Sequence, residues 1–279
     1  MDGRDWGKFL LPYEQALEEL KVKFKTLRSE LKNREEYSPI EFVTGRVKRV
    51  SSILEKAKRL QIPLEQVEQM EDIAGLRIMC QFVQDIEVVS KLIEQRQDMR
   101  VVNVKDYITN YKESGYRSYH MIVEYPVQTS LGMKRVLAEI QLRTLAMNFW
   151  ATIEHSLNYK YKEKLPDEVK MRLRKAAEAA FQLDQEMSSI RQEIVDAQKM
   201  FQDRSNLVSK ILSDIQSLYF YRHVREAAAF QLRFNELWEQ EDPVALRKLA
   251  DDVTAALDRA KQAELSRNPS EAGDRGGGA

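Results

Sequence analysis

Two acidic residues interrupt apolar segments, and their positions suit metal binding. Asp72 precedes the run IAGLRIMC, and Glu139 lies within VLAEIQLRT. Carboxylates are uncommon in apolar strands without a partner or ligand. If the two face one cleft, they could hold Mg²⁺ together with substrate phosphates. Asp72 could instead cap its strand or pair with Arg77, so both interpretations stay open.

A basic segment, TGRVKRVSSILEKAKRL, lies before Asp72 along the chain. It predicts a basic turn followed by a helix that Ser51 or Ser52 caps and that runs to Leu60. Its phosphate-binding candidates are Arg46, Lys48, Ser52, Lys56 and Arg59. The last three share one helix face, and a helix N-terminus favours anions. An ordinary solvated face usually mixes charges, whereas this segment has Glu55 as its one acid.

The decapeptide YKESGYRSYH, residues 111–120, combines hydrogen-bonding groups with rings. Gly115 permits close backbone approach, and Tyr116 offers a ring to a nucleotide base. Lys112, Ser114 and His120 are polar candidates around it. A tight turn with ordinary exposed aromatic residues is the alternative interpretation.

A polar face is also predicted on the strand that contains Glu139. Strand alternation places Leu137, Glu139, Gln141 and Arg143 on one side and Ala138, Ile140 and Leu142 on the other. The polar side therefore lines either a surface or a site.

The order of predicted elements indicates an α+β protein with a mixed sheet flanked by helices. Helices are expected at 6–31, 51–60, 85–97 and from 145 onward, with strands at 73–83, 99–108, 119–128 and 134–144. A Gly- and Pro-free stretch from 167 to about 202 predicts a long helix. We expect domains at 1–205 and 206–264, the second helical and broken at Pro243, and a disordered tail at 265–279.

Composition excludes bulk attraction to nucleic acid or membrane. Lys and Arg together number 44, as do Asp and Glu, so any phosphate site must be local. The single cysteine, Cys80, cannot form an internal disulfide, and no segment reaches transmembrane length. These features favour a cytoplasmic protein.

Four motifs in order, SPIEFVTGRVK, EDIAGLRIMC, KESGYRSYH and EIQLRTLAMNFWATIEHSLNYKYK, resemble the small alarmone synthetases, single-domain members of the RelA/SpoT family. The resemblance covers about residues 1–200 and implies a nucleotidyltransferase-like synthetase core. It implies a GTP pyrophosphokinase that moves the β,γ-diphosphate of ATP to the 3′-hydroxyl of GDP or GTP, making (p)ppGpp in the stringent response.

The resemblance also implies a role for each motif residue. ATP would contact Arg46, Lys48, Ser52, Lys56, Arg59 and Arg77, with the first and last stacking on adenine. Mg²⁺ would be held by Asp72 and Glu139, and Glu139 would polarise or deprotonate the 3′-hydroxyl. GDP or GTP would contact Lys112, Ser114, Tyr116, His120, Gln141 and Asn148.

Regulation and assembly are implied by the same resemblance. It implies a homotetramer with an allosteric pppGpp pocket, to which Lys21, Lys25, Phe42 and Thr44 match. Ordinary surface lysines would give the same pattern. His120, His155 and His223 are not followed by Asp, so the His-Asp pair of the hydrolase domain in longer relatives is missing and synthesis without hydrolysis is expected.

Two other classes of protein stay open at this point. A nucleotidyltransferase would use similar carboxylates but release pyrophosphate. A single-stranded RNA-binding regulator would use the Arg, Lys and Tyr side chains for backbone and base contacts. The zero net charge makes RNA binding the weaker alternative as a primary role.

Overall fold

The computed structural model describes residues 5–130, 132–160, 166–240 and 242–267. The chain forms two compact units, residues 1–190 and 191–279. The first unit contains a five-stranded sheet and helices, whereas the described part of the second is helical. The predicted α+β class with a helical C-terminal region is therefore confirmed.

The sheet of the first unit is mixed. Its strands are β1 (Phe42–Val47), β2 (Ala74–Cys80), β3 (Arg100–Asp106), β4 (Tyr119–Thr129) and β5 (Gly132–Thr144). Their order is β1-β2-β5-β4-β3, with β2 and β5 parallel and the other pairs antiparallel. The parallel pair aligns Gly75 with Glu139 and Arg77 with Gln141, so the acidic and basic motifs meet at the centre of the sheet.

Helices α1 and α3 pack on the apolar side of this sheet. Helix α1 (Trp6–Asn33) is capped by Asp5, whose side chain accepts a hydrogen bond from the Lys8 backbone amide, and α3 spans Val83–Glu94. Alternate strand residues such as Leu76 and Ile140 are fully buried in one core with Phe24 of α1. The intervening residues of β2 and β5 point to the opposite side, where the polar side chains lie.

Strand β1 corrects the prediction of a basic turn. Gly45 falls in the segment predicted as a turn, but it lies inside β1, where other residues approach its backbone closely. A Cβ there would come within 2.7 Å of a Leu17 methyl carbon and 2.8 Å of the Gly75 carbonyl oxygen. Glycine is therefore required by packing, and the strand carries Arg46 toward the polar side of the sheet.

Helix α2 (Val50–Arg59) follows β1, and its start also differs from the prediction. Its N-cap residue is Arg49, which makes no side-chain capping hydrogen bond, so neither Ser51 nor Ser52 is the cap. A short 3₁₀ helix, Leu64–Gln69, follows α2. Ser52 lies in the first turn of α2 and remains beside the basic residues.

The remaining helices are α4 (Leu145–Lys160), α5 (Asp167–Phe220), α6 (Val224–Glu239) and α7 (Pro243–Arg267). Helix α5 continues past the predicted end near residue 202, and the predicted domain boundary at 205 falls inside it. The predicted break at Pro243 is the start of α7, which runs into the predicted tail; residues 268–279 lie outside the described part. No helix within the described ranges is both long and apolar enough to cross a membrane.

Candidate active site

Asp72 and Glu139 line the same cavity on the polar side of the sheet. This first cavity, of about 110 Å³, lies over β1, β2 and β5. Its lining residues are Arg46, Lys48, Asp72, Gly75, Arg77, Glu139 and Gln141. The two predicted metal ligands and four predicted nucleotide-binding residues, three cations and one amide, are therefore neighbours in space.

Asp72 is held by two lysines rather than by Arg77. Lys48 Nζ and Lys56 Nζ lie 2.6 and 2.7 Å from its Oδ2. Burial alone would raise the pKa of Asp72, but the two ammonium groups outweigh it and hold the pKa below its usual value. Its other oxygen, Oδ1, is buried and has no hydrogen-bond partner among the described residues. An ionised carboxylate with one unpaired buried oxygen fits a cation.

Glu139 accepts a hydrogen bond at each oxygen. His120 Nδ1 lies 2.9 Å from Oε1, and Gln141 Nε2 donates to Oε2 at 2.7 Å. Burial would raise the pKa of Glu139, but these hydrogen bonds lower it overall. The Gln141 amide cannot be reversed, because its oxygen accepts from Arg77 and Arg143, which have only donors. The network therefore keeps Glu139 ionised.

A second cavity of about 330 Å³ adjoins the first. Arg46, Arg77 and Gln141 line both cavities. The remaining lining residues of the second are Lys112, Ser114, Tyr116, Arg143, Ala151, Glu154 and His155. Burial and the nearby charges of Arg143 and Arg46 lower the pKa of Arg77. Two cavities that share guanidinium groups can accept two anionic ligands side by side.

Tyr116 is the centre of the second cavity's polar contacts. Its hydroxyl accepts from Arg143 Nη2 at 2.6 Å and lies 2.9 Å from His120 Nε2. With Nδ1 donating to Glu139, this gives an unbroken chain of hydrogen bonds from the Tyr116 ring to the first cavity. Lys112 Nζ and the Arg143 guanidinium lie 5.0 and 5.2 Å from the ring centroid. The exposed Lys112 is the more easily displaced of the two.

Several predicted residues do not line either cavity. Lys56 reaches the first cavity through Asp72, and His120 does so through Glu139. Ser52 in the first turn of α2 is half-buried, and Arg59 at its end is exposed. Asn148 is half-buried on α4, one turn before the cavity-lining Ala151.

The four predicted allosteric residues occupy two different elements. Lys21 and Lys25 lie on α1, where Lys21 pairs with Glu18 at 2.7 Å. Phe42 and Thr44 are exposed residues of β1 and alternate with the buried Val43. Gly45 faces α1, so Phe42 and Thr44 point away from that helix. The described chain does not gather the four into a single cavity.

Sequence reasoning missed part of the second cavity. Arg143 was recognised only as a polar strand residue, and Glu154 and His155 were not selected. The signal was present in the spacing, because residues 148, 151 and 155 recur at helical intervals on one face of α4. They follow the strand that carries Glu139, so the turn into α4 brings them to the same side of the sheet.

The fold and the basic lining of the two adjoining cavities are those expected of a transferase with phosphorylated substrates. Residues 45–164 match the model of a region found in RelA and SpoT proteins. GTP pyrophosphokinase YjbM of Bacillus subtilis is 61% identical over 201 residues, covering 72% of this chain and 95% of that protein. GTP pyrophosphokinase YwaC of the same organism is 42% identical over 193 residues, covering 68% and 92%.

Solved structures give the same assignment. The crystal structure of small alarmone synthetase 1 from Bacillus subtilis bound to its product pppGpp aligns with a TM-score of 0.66 and 62% identity, covering 68% of this chain and 97% of that one. The same enzyme bound to AMPCPP aligns with a TM-score of 0.62 at 57% identity, covering 68% and 98%. This chain belongs to the RelA/SpoT family and, within it, to the small alarmone synthetases.

Proposed function

We propose that this chain, a GTP pyrophosphokinase, transfers the β,γ-diphosphate of ATP to the 3′-hydroxyl of GDP or GTP across the boundary between its two cavities. The 3′-oxygen bonds to the β-phosphorus of ATP, the bond from that phosphorus to the α-phosphate oxygen breaks, and AMP leaves. The observation that carries this proposal is the shared wall of Arg46, Arg77 and Gln141. It supports two nucleotides held close enough for direct transfer.

The first cavity suits the ATP donor. Lys48 and Lys56 would neutralise its phosphates, and Arg46 and Arg77 would stack on adenine with their planar guanidinium groups. Ser52 and Arg59 continue the basic face of α2 beyond the cavity. A bound polyphosphate would compete with Asp72 for the two lysines, which links donor binding to release of that carboxylate.

The second cavity suits the GDP or GTP acceptor. Tyr116 would stack on guanine, Asn148 and Gln141 would contact its edge and sugar, and Lys112, Ser114 and His120 would orient the phosphates and ribose. Glu139 would accept the hydrogen bond of the 3′-hydroxyl and take its proton as the new bond forms. Because its pKa is lowered, Glu139 would accept the hydrogen bond of the 3′-hydroxyl well but would not retain the proton for long.

Mg²⁺ fits the pair of carboxylates. The unpartnered Oδ1 of Asp72 and the ionised Glu139 line one cavity, and two carboxylates plus substrate phosphates are a usual ligand set for this ion. When bound, it would neutralise phosphate charge and activate the diphosphate. No group of three or more His, Cys, Asp or Glu that could hold a metal occurs within the described ranges.

The reaction is tested by chromatography of nucleotides after mixing the protein with Mg²⁺, ATP and GDP. Formation of ppGpp and AMP in equal amounts is expected, and chelation of divalent ions should stop it. Release of pyrophosphate with a nucleoside monophosphate attached to the acceptor would instead identify a nucleotidyltransferase. RNA binding without nucleotide turnover would instead identify a single-stranded RNA-binding regulator. If the protein both binds RNA and makes alarmone at a shared site, RNA should inhibit the synthesis.

A homotetramer is supported by an apolar groove of about 800 Å³ in the first unit, between α4 and α5. Leu145, Phe149 and Leu183 line it and are 45%, 68% and 56% exposed. Such a groove is uncommon on an isolated domain and suits another copy of the chain. A pppGpp effector site involving Lys21, Lys25, Phe42 and Thr44 would then require residues from more than one copy. Light scattering with and without pppGpp tests both points.

The cytoplasm is the location that we infer, because ATP and GTP are available there. The single cysteine, Cys80, is buried in the core, which raises the pKa of its thiol and keeps it protonated. Nothing in its surroundings requires an oxidising compartment. Fractionation of cells followed by detection of the protein tests this inference.

A further inference from the structure

A buried arginine attaches the loop that carries Tyr116 to helix α5. Arg117 is 6% exposed, and its guanidinium carbon lies 4.3 Å from the Tyr111 ring centroid and 4.1 Å from that of Phe181. Its Nη2 donates to Glu178 at 3.1 Å. Guanidinium groups stack well on aromatic rings, and desolvation strengthens the attraction. A loop residue is thus enclosed by its own loop on one side and by α5 on the other.

The backbone of the same loop fits closely against α5. Gly115 has a φ of +88°, and a Cβ at this position would lie 2.5 Å from the Ala177 Cβ. Helix α5 is itself attached to α4 through a hydrogen bond from Trp150 Nε1 to the Leu173 carbonyl at 2.9 Å. The small cavity at this junction has a volume of only about 10 Å³. Little room therefore remains for the loop to shift.

Tyr116 lies between two attached residues. Gly115 before it packs against Ala177 of α5, and Arg117 after it binds Glu178 of the same helix. Ser118 is fully buried and donates to the Leu142 carbonyl at 3.3 Å, and the Lys112 backbone amide donates to the Tyr116 carbonyl at 3.2 Å. The backbone on both sides of Tyr116 is therefore held in place.

Burying the Arg117 side chain costs stability, so packing alone does not account for an arginine at this position. The Arg117 Nε is buried and has no hydrogen-bond partner among the described residues. A buried unsatisfied donor on a charged group is destabilising, and an apolar side chain of similar size would avoid that cost. Retaining an arginine here suits a site where geometry matters more than stability.

We propose that Arg117 is a positioning residue for the acceptor, acting with Tyr111, Phe181 and Glu178 as a clamp on the loop. None of these four residues lines either nucleotide cavity. The clamp holds Tyr116 in its binding orientation before the acceptor arrives, so acceptor binding does not have to order the loop. This proposal rests on the proposed function only in identifying the ligand of the second cavity.

The test compares Arg117→Lys and Phe181→Leu with the control Lys170→Gln. Arg117→Lys keeps the charge and loses the planar stack, Phe181→Leu removes one stacking ring, and Lys170→Gln removes an exposed ion pair of α5 with Asp167. Both clamp variants should raise the KM for GDP about tenfold, as expected for loss of a desolvated cation–π contact, with the KM for ATP unchanged. Without nucleotide, backbone amides 111–118 should exchange hydrogen about tenfold faster in both variants.

Several results would overturn the clamp. One is an unchanged GDP KM together with unchanged exchange at 111–118; another is an equal rise in both KM values, which indicates general damage to the fold. If Arg117→Lys does not fold, Phe181→Leu decides alone, because its half-buried ring tolerates a smaller apolar side chain. If wild-type protein makes no alarmone, the proposed function fails, whereas hydrogen exchange still tests the clamp.

Discussion

Replacing Glu139 with glutamine separates the chemistry of the carboxylate from its structural role. The substitution keeps size and shape but puts an amide NH₂ group opposite one of two donors, His120 Nδ1 or Gln141 Nε2. Gln141 cannot turn to relieve this conflict, because Arg77 and Arg143 hold its oxygen. The neutral form of His120 could instead present Nδ1 as an acceptor.

The expected loss of stability is small compared with the loss of activity. One hydrogen bond in a buried network costs about 1–3 kcal/mol, within the ~5–15 kcal/mol available to a domain. Removing a group that accepts a proton lowers kcat about 10²–10⁴-fold, or ~2.7–5.5 kcal/mol of barrier. Glu139→Gln should therefore fold, bind ATP and make almost no alarmone.

The assay is chromatography of ppGpp and AMP over time, with calorimetric titration of a non-hydrolysable ATP analogue and circular dichroism as checks. Glu124→Gln is the matched control, since Glu124 is also a half-buried strand carboxylate but pairs with Arg135 at 3.0 Å. It should retain nearly full activity. Undiminished turnover by a folded Glu139→Gln protein would refute the assigned role.

Three further results are expected. Lys56→Met should raise the KM for ATP at least about tenfold by removing a phosphate-facing cation, whereas the exposed Lys58→Met should not. Gly45→Ala should lower the free energy of unfolding by about 1–3 kcal/mol in urea, because its methyl group overlaps Leu17; an unchanged midpoint would contradict this. Burial raises the pKa of the Asp184 carboxyl to about 6. The protonated carboxyl therefore stabilises the folded state below pH 4, and this stabilisation is lost as the pH rises through 6. Asp184→Asn should raise Tm at pH 7.5 but not at pH 4.

The sequence was enough to single out Asp72 and Glu139, but it did not predict the residues that hold them. Asp72 and Glu139 were identified because acids in apolar strands are conspicuous, and the structure brings them to one cavity. The partner of Asp72 could not be chosen from the sequence, because Arg77 and the lysines are all positively charged and none is marked out by its distance along the chain. Only the pairing of β1 with β2 brings Lys48 near Asp72.

Strand β1 and helix α5 show where local patterns were insufficient. Gly45 reads as a break in any short window, and its contact with Leu17 is known only once α1 packs on the sheet. The long helix predicted from its lack of Gly and Pro was expected to end near residue 202, whereas α5 continues to Phe220. Long-range packing decides both cases, and neither nearby propensity nor spacing carries that information.

The alternation of Glu139, Gln141 and Arg143 along β5 fixes the spacing between these three side chains. Side chains two positions apart on a strand are separated by about 7 Å, whatever their identity. Substitution at these positions should therefore tune activity by degrees. An insertion or deletion of one amino acid between residues 139 and 143 would instead turn the downstream groups into the apolar core, so natural length variation should be confined to the hairpin and loops outside this stretch.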